Sequence, residues 1–279
     1  MKLLLSPGHA YAASTPLYYT LGYYNKYAHT GHMKEFPYLW QMYLEDIGDI
    51  KFASRNYRTT RSKLERIGQG HTKQLSPMPD DFSIQDYYKR PFRIEHYIEY
   101  LKKVWDVVKD ECKAVADFST HNSGLSEDFL MKIKPKLLEN FDVKVVMIFR
   151  DPVRRFWSQN ADVNGKLRCH DRYAENYQKY CNVFGKENVH YVIMEDFWDE
   201  EPDAIDGLSK FLNLEFESIS ENAYWPLEGD IIKYENLKDQ WIGEKKMPID
   251  CLPIIKEKLK PLYLQYEQII GKIPERWWS

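Results

Sequence analysis

The sequence predicts an α/β protein, a three-layer arrangement with a central parallel sheet flanked by helices. Three observations carry this expectation. Short, almost wholly apolar runs recur along the chain, as strands buried on both faces require. Helical patterns with apolar residues three and four apart lie between those runs. The 279 residues, 43% of them hydrophobic, suffice for one large domain and carry no bias toward disorder.

Taken in order, Lys2 to Ser6 reads as the first strand, followed by a loop with Pro7 and Gly8. Ser14-Thr15-Pro16 then offers an N-cap and an N-terminal proline for a helix from about Pro16 to Tyr24. Ala114 to Phe118, Val143 to Phe149 (VKVVMIF) and Val189 to Met194 read as further core strands, the second being the strongest signal in the chain. Helices are expected over Ile94 to Lys109, Ser126 to Asn140, Pro152 to Asn164 and Asp203 to Leu212. After Leu214 the pattern is loop-rich until Ile254. A closing helix then carries Ile255, Leu259, Leu262, Tyr263, Tyr266 and Ile270 on one face. No repeat or linker interrupts this, so residues 1–279 are read as a single domain.

Composition removes several function classes. A net charge of −3 argues against a dedicated nucleic-acid binder. No run approaches the roughly 18 apolar residues of a membrane span, so no membrane partner is expected. Leu3 to Leu5 are too few for the ~7–15-residue core of an export signal, which points to the cytoplasm. The four cysteines (Cys112, Cys169, Cys181, Cys251) form no C-x-x-C pair and the histidines no H-x-x-x-H, so no metal is expected. The thiols are read as reduced; a Cys169–Cys181 bridge would need an oxidising compartment. The tyrosines Tyr18, Tyr19, Tyr23, Tyr24 and Tyr27 are read as core packing.

Two stretches carry phosphate chemistry. In IFRDPVRRFWSQN (Ile148 to Asn160) a buried strand ends, Arg150 emerges, and Asp151-Pro152 supplies an N-cap and first helical residue. Arg154, Arg155 and Ser158 follow on the first turns. A guanidinium fork, a hydroxyl and a helix start at the C-terminal end of a strand suit a phosphate group. In SPGHAYAASTPLYYTL (Ser6 to Leu21) a glycine-containing turn leads to paired hydroxyls at a helix start. Against the nucleotide-triphosphatase pattern G-x-x-x-x-G-K-[ST], Gly8 and Thr15 fit, but Ala13 replaces the second glycine and Ser14 the lysine. An ATP or GTP loop is therefore disfavoured.

Together the two stretches resemble the sulfotransferases that use 3′-phosphoadenosine 5′-phosphosulfate (PAPS), which have a P-loop-like fold. FRDPVRRFWSQ is similar to that family's 3′-phosphate segment, in which a strand ends in R-D-P and a serine follows eight residues after the arginine. Arg150 and Ser158 match both positions. The opening loop resembles the 5′-phosphosulfate loop: Ser14 and Thr15 take the hydroxyl positions, Ala13 the glycine, and Leu17 the apolar position of the next helix. HMKEFPY resembles the segment holding the catalytic base, which would be Glu35; Asp117-Phe118-Ser119, VIMEDF and SKFLNL are similar to later strand and helix elements. GEKKMPIDCLPIIKEKL, with Lys245 and Lys246, resembles the loop that closes over the 3′-phosphate.

The resemblance implies sulfuryl transfer from PAPS to a hydroxyl or amine, releasing 3′,5′-adenosine bisphosphate (PAP). Ala12, Ala13, Ser14, Thr15, Arg150, Ser158, Lys245 and Lys246 would hold the donor. One departure is marked. The family's catalytic lysine stands three residues before the first paired hydroxyl, and here that residue is Tyr11. A tyrosine donates a hydrogen bond but supplies no charge. His9, Lys34 or Lys26 would have to bring the cation. Otherwise the chain is a catalytically impaired PAP-binding protein. Residues 51–74 hold seven basic side chains against Glu65 alone, a surface for an anionic acceptor such as a glycan or a solvated face.

Overall fold

A computed structural model describes residues 1–8, 14–31, 37–49, 51, 92–160, 172–199, 201–215, 224–227, 230–233 and 252–277. For 14–16, 23–24, 157–160, 224–227 and 230–233 the description covers the backbone alone.

Five strands, β1 (Lys2–Leu5), β2 (Ala28–His29), β3 (Ala114–Asp117), β4 (Asp142–Phe149) and β5 (Val189–Ile193), form a parallel sheet in the order β2-β3-β1-β4-β5. The expected strands recur within a residue at each end, and β2 is added at an edge. Its two residues are too few for any period to register. Strand side chains alternate between faces, and each face has its own core. Leu3, Leu5, Val115, Val145, Met147 and Phe149 face one cluster. Leu4, Ala116, Val146 and Ile148 face the other. Burying a Val, Leu or Ile side chain contributes about 1.5–3 kcal/mol, so β4, buried on both faces from Val145 to Phe149, is the mainstay of the sheet.

The first cluster is covered by α2 (Tyr38–Asp46), α3 (Ile94–Val108), α4 (Glu127–Asn140), α6 (Tyr173–Phe184) and α9 (Leu252–Ile270). The second is covered by α1 (Ser14–Tyr19), α7 (Met194–Trp198) and α8 (Pro202–Leu212). α5 (Pro152–Asn160) follows β4. α1 starts two residues before the expected position and passes at Thr20–Tyr24 into a π-helical turn. Tyr18, Tyr19 and Tyr27 are core residues, as the sequence suggests. Ser126 caps α4, its hydroxyl accepting from the Phe129 amide at 3.2 Å. α9 buries Ile255, Leu259, Leu262, Tyr263 and Tyr266, while Ile270 is half-buried.

Helices α2, α6 and α7 add to the expected set; in α2, Leu39, Trp40, Met42, Tyr43 and Leu44 spread apolar surface round the helix rather than along one stripe. Within the loop-rich region after Leu214, β6 (Tyr224–Leu227) and β7 (Asp230–Lys233) pair antiparallel, Leu227 opposite Asp230. Four-residue strands, one of them containing Pro226, leave no alternation to read. Among the described residues no helix is long and apolar enough to cross a membrane. Cys112 and Cys181 are free thiols, and Cys169 and Cys251 lie outside the described residues.

Candidate functional site

The sheet order makes β1 the point where the chain's direction of winding reverses, with β3 and β2 on one side and β4 and β5 on the other. In open α/β sheets ligands bind beyond the carboxyl ends of the strands at such a reversal. Ser6 extends β1, its amide donating to the Asp117 carbonyl at 2.9 Å, and the Gly8 amide turns back to the Ser6 carbonyl. The Ser6 hydroxyl is fully buried there and has no hydrogen-bond partner among the described residues. Leu5 is in register with Val145, so β4 runs on past the end of β1. At about 3.3 Å per residue, Arg150 stands roughly 16 Å further along. The edge is thus a step, with Ser6–Gly8 at the end of β1 low and the Arg150 turn high.

The high side is held rigidly. Phe149 is fully buried, stacked on Tyr191 at 5.3 Å and edge-on to Tyr173 and Tyr266. Arg150 follows, 3% exposed, its carbonyl accepting from the Tyr266 hydroxyl at 3.0 Å. Burial lowers the Arg150 pKa, and the carboxylates of Glu195 and Asp151 oppose that shift; an arginine so placed keeps its charge. Asp151 caps α5 as the R-D-P pattern implies, Oδ1 accepting from the Val153 amide at 3.0 Å. Its own amide donates to Glu195 Oε1 at 3.1 Å, and Tyr263 donates to its Oδ1 at 2.6 Å. Arg154 and Arg155 diverge. Arg154 is partly exposed, 3.8 Å from Asp151, whereas Arg155 is buried with its guanidinium 5.5 Å from the Tyr173 ring centre. Beside Arg150 lies a cavity of about 240 Å³ walled by Arg154, Glu195, Trp198 and Arg276.

Asp151 gives a pH signature. Burial pushes its carboxyl up to about 6; the Tyr263 hydrogen bond opposes this, neighbouring Glu195 adds to it, and the Val153 amide and Arg154 oppose it. An unfolded aspartate titrates near 3.9, so between about pH 4 and 6 the folded chain holds a proton that the unfolded chain releases. The group's contribution to stability is therefore greatest below pH 4, falls as pH rises to 6, and is constant above. At about 1.4 kcal/mol per pKa unit the fall is roughly 2–3 kcal/mol. In urea titrations from pH 4 to 7, Asp151→Asn is expected to abolish this decline. A wild-type minus variant difference that stays constant over the range contradicts the assignment.

The second polar centre closes β3. Asp117 is fully buried and accepts from Tyr97 Oη at 2.9 Å, Asn122 Nδ2 at 3.1 Å and the Ser119 amide at 2.8 Å. Burial raises its pKa, and the bonds from Ser119, Tyr97 and Asn122 restrain the rise. The 3₁₀ turn Thr120–Gly124 beyond it is pinned from α6: Tyr180 donates to the Asn122 carbonyl, and Lys179 to those of Ser123 and Leu125. On this turn His121 is exposed, 6.2 Å from the Trp40 ring. It adds a titratable group to the edge that sequence reasoning did not single out.

Of the sequence-predicted site residues, Arg150 is placed in full. Ser14 and Thr15 begin α1 and Ser158 lies in α5, described by backbone. His9, Tyr11, Ala12, Ala13, Lys34, Glu35, Lys245 and Lys246 lie outside the described residues, as does nearly all of the basic segment 51–74. Glu195 and Trp277, which the structure ties to Asp151, were missed as site residues. VIMEDF contains Glu195, but its contacts to residues 44 and 82 positions away are not encoded locally.

No protein-family model matches the chain, and no curated protein matches it in sequence. Solved structures do. A sulfotransferase from Alicyclobacillus acidocaldarius is similar over 100% of this chain and 99% of its own, with a TM-score of 0.56 and 15% identity. Weaker matches are the sulfotransferase domain of the Synechococcus PCC 7002 olefin synthase and that of the curacin biosynthetic pathway. Their TM-scores are 0.42 and 0.41, at 13% and 14% identity. The former covers 92% of this chain and 94% of its own, the latter 93% and 97%. The chain has the α/β sulfotransferase fold.

Proposed function

We propose that this protein is a sulfotransferase that takes its sulfuryl group from PAPS and passes it to a hydroxyl or amine of a small-molecule or glycan acceptor. The observation that carries the reading is Arg150. A buried guanidinium stands at the C-terminal end of β4, beside a cavity and on the strand next to β1, where the sheet's winding reverses, in a chain with the sulfotransferase fold. A charged fork in that position fits a phosphate monoester.

In this reading Arg150 and Ser158 grip the 3′-phosphate, and Lys245 and Lys246 close over it. Backbone amides and hydroxyls from Ala12 to Thr15 meet the phosphosulfate. PAPS supplies the sulfuryl group and departs as PAP. Glu35 removes the acceptor's proton at the attacking oxygen or nitrogen; His121, exposed on the same edge, is the alternative base. Tyr11, His9 and Lys34 stand for the missing lysine, donating to the oxygen on which charge builds.

That substitution favours a second reading, in which the chain binds PAP without turning over PAPS. PAP release from PAPS, monitored with a panel of phenols, sugars and amines, separates the two. Acceptor-dependent release supports the enzyme. Tight PAP binding without release from PAPS on any acceptor supports the impaired binder.

A further inference from the structure

We propose that Glu195 and Trp277 are positioning residues of the donor site, and that the C-terminal turn Glu275–Trp277 is a latch holding the Arg150–Asp151 turn in its anion-binding shape. This rests on the PAPS reading above.

A turn at a strand end ordinarily leaves its backbone groups to water. Here the Arg150 carbonyl is taken by Tyr266, the Asp151 carboxylate by Tyr263, and the Asp151 amide by Glu195. Glu195 is itself oriented, since its second oxygen accepts from Trp277 Nε1 at 3.1 Å. Trp277 is 1% exposed and lies edge-on to Tyr266 at 4.9 Å. Arg276 grips α7, on which Glu195 sits, through Asp196 and Asp199. The reversal that brings this turn back is made at Gly271, where φ is +80° and the amide closes on the Glu267 carbonyl at 2.8 Å; such a left-handed residue ends a helix most cheaply as glycine. Tyr263 and Tyr266 thus reach two residues 112 and 116 positions upstream, Trp277 reaches the same turn through Glu195, and Arg276 shares a cavity wall with Arg150. Core packing alone would account for the burial of Trp277. It would not account for an indole N–H spent on the one carboxylate that holds the Asp151 amide.

Trp277→Phe keeps the ring and deletes the donor. Two measurements are made on the full chain: amide hydrogen exchange of the peptide spanning 149–156, without ligand, and PAP affinity by calorimetry. Exchange is expected to quicken and affinity to fall by about tenfold each, the scale of one hydrogen bond to a charged group. The α4 variant Ile133→Val, a destabilised control remote from the turn, is expected to change neither. Should Trp277→Phe fail to fold, Tyr263→Phe removes the bond to Asp151 and is expected to give the same pair of changes. A folded variant with wild-type exchange and wild-type affinity overturns the latch. Exchange that quickens while affinity holds overturns the positioning role and leaves a structural clamp. Absence of PAP binding by the wild type overturns the donor reading instead, and the exchange result then decides the clamp alone.

Discussion

Replacing Arg150 with alanine is expected to weaken PAP binding by a hundredfold or more. The loss combines a charge-assisted, two-pronged contact to phosphate, worth about 1.5–3 kcal/mol, with a disturbed wall on the protein side. Arg150 is the buried cation facing Glu195 and Asp151. Without it two carboxylates face each other in a poorly solvated corner, and the turn shifts or takes up a proton. Arg150→Lys separates the two effects, because it returns the charge but not the fork. The lysine variant is expected to recover folding stability more fully than affinity. Calorimetry, with circular dichroism confirming that each variant is folded, reads both. Unchanged affinity in the alanine variant removes Arg150 from the site.

The largest loss of stability is expected at Asp117. Asp117→Ala strands three buried donors, the Tyr97 hydroxyl, the Asn122 amide group and the Ser119 backbone N–H. At about 1–3 kcal/mol for each unsatisfied group the total is roughly 4 kcal/mol, a large share of the ~5–15 kcal/mol that holds most domains folded. Some relief comes from no longer burying a carboxylate, which is why the figure stays below the sum of three full penalties. Urea unfolding measures it directly, as a midpoint lowered by more than 1 M at an unchanged slope. The turn bearing His121 is set by the same residue, so, if His121 rather than Glu35 is the base of a sulfuryl transfer, the variant also loses acceptor turnover beyond what its unfolded fraction explains. A loss under 1 kcal/mol contradicts the network.

Those two residues differ in how they could be found from the sequence. The strand VKVVMIF is legible because a strand buried on both faces must be apolar almost throughout, and the residue after such a strand stands at the sheet's functional edge. Arg150, Asp151 and Pro152 then spell out the end of a strand and the cap of a helix within three letters, and the structure makes that cap, Asp151 Oδ1 accepting from the Val153 amide. Asp117 ends a shorter strand, and its partners Tyr97 and Asn122 come from different elements, so its burial is a tertiary fact. Glu195 is further from view. VIMEDF presents it only as part of a resembling element, and its bonds to Asp151 and Trp277 are tertiary. Local period and capping chemistry yield the layers and the high side of the site. The contacts that stiffen that side are set by folding, and no spacing rule announces them.

The measurement closest to the central claim is amide hydrogen exchange of the wild-type chain with and without saturating PAP. If the carboxyl edge of this sheet holds the donor, protection is expected in the peptides from Leu3 to Tyr19 and from Phe149 to Ser158, with the start of β4 near Asp142 unchanged. Binding that protects other peptides and leaves these two as they were, or no binding at all, contradicts it.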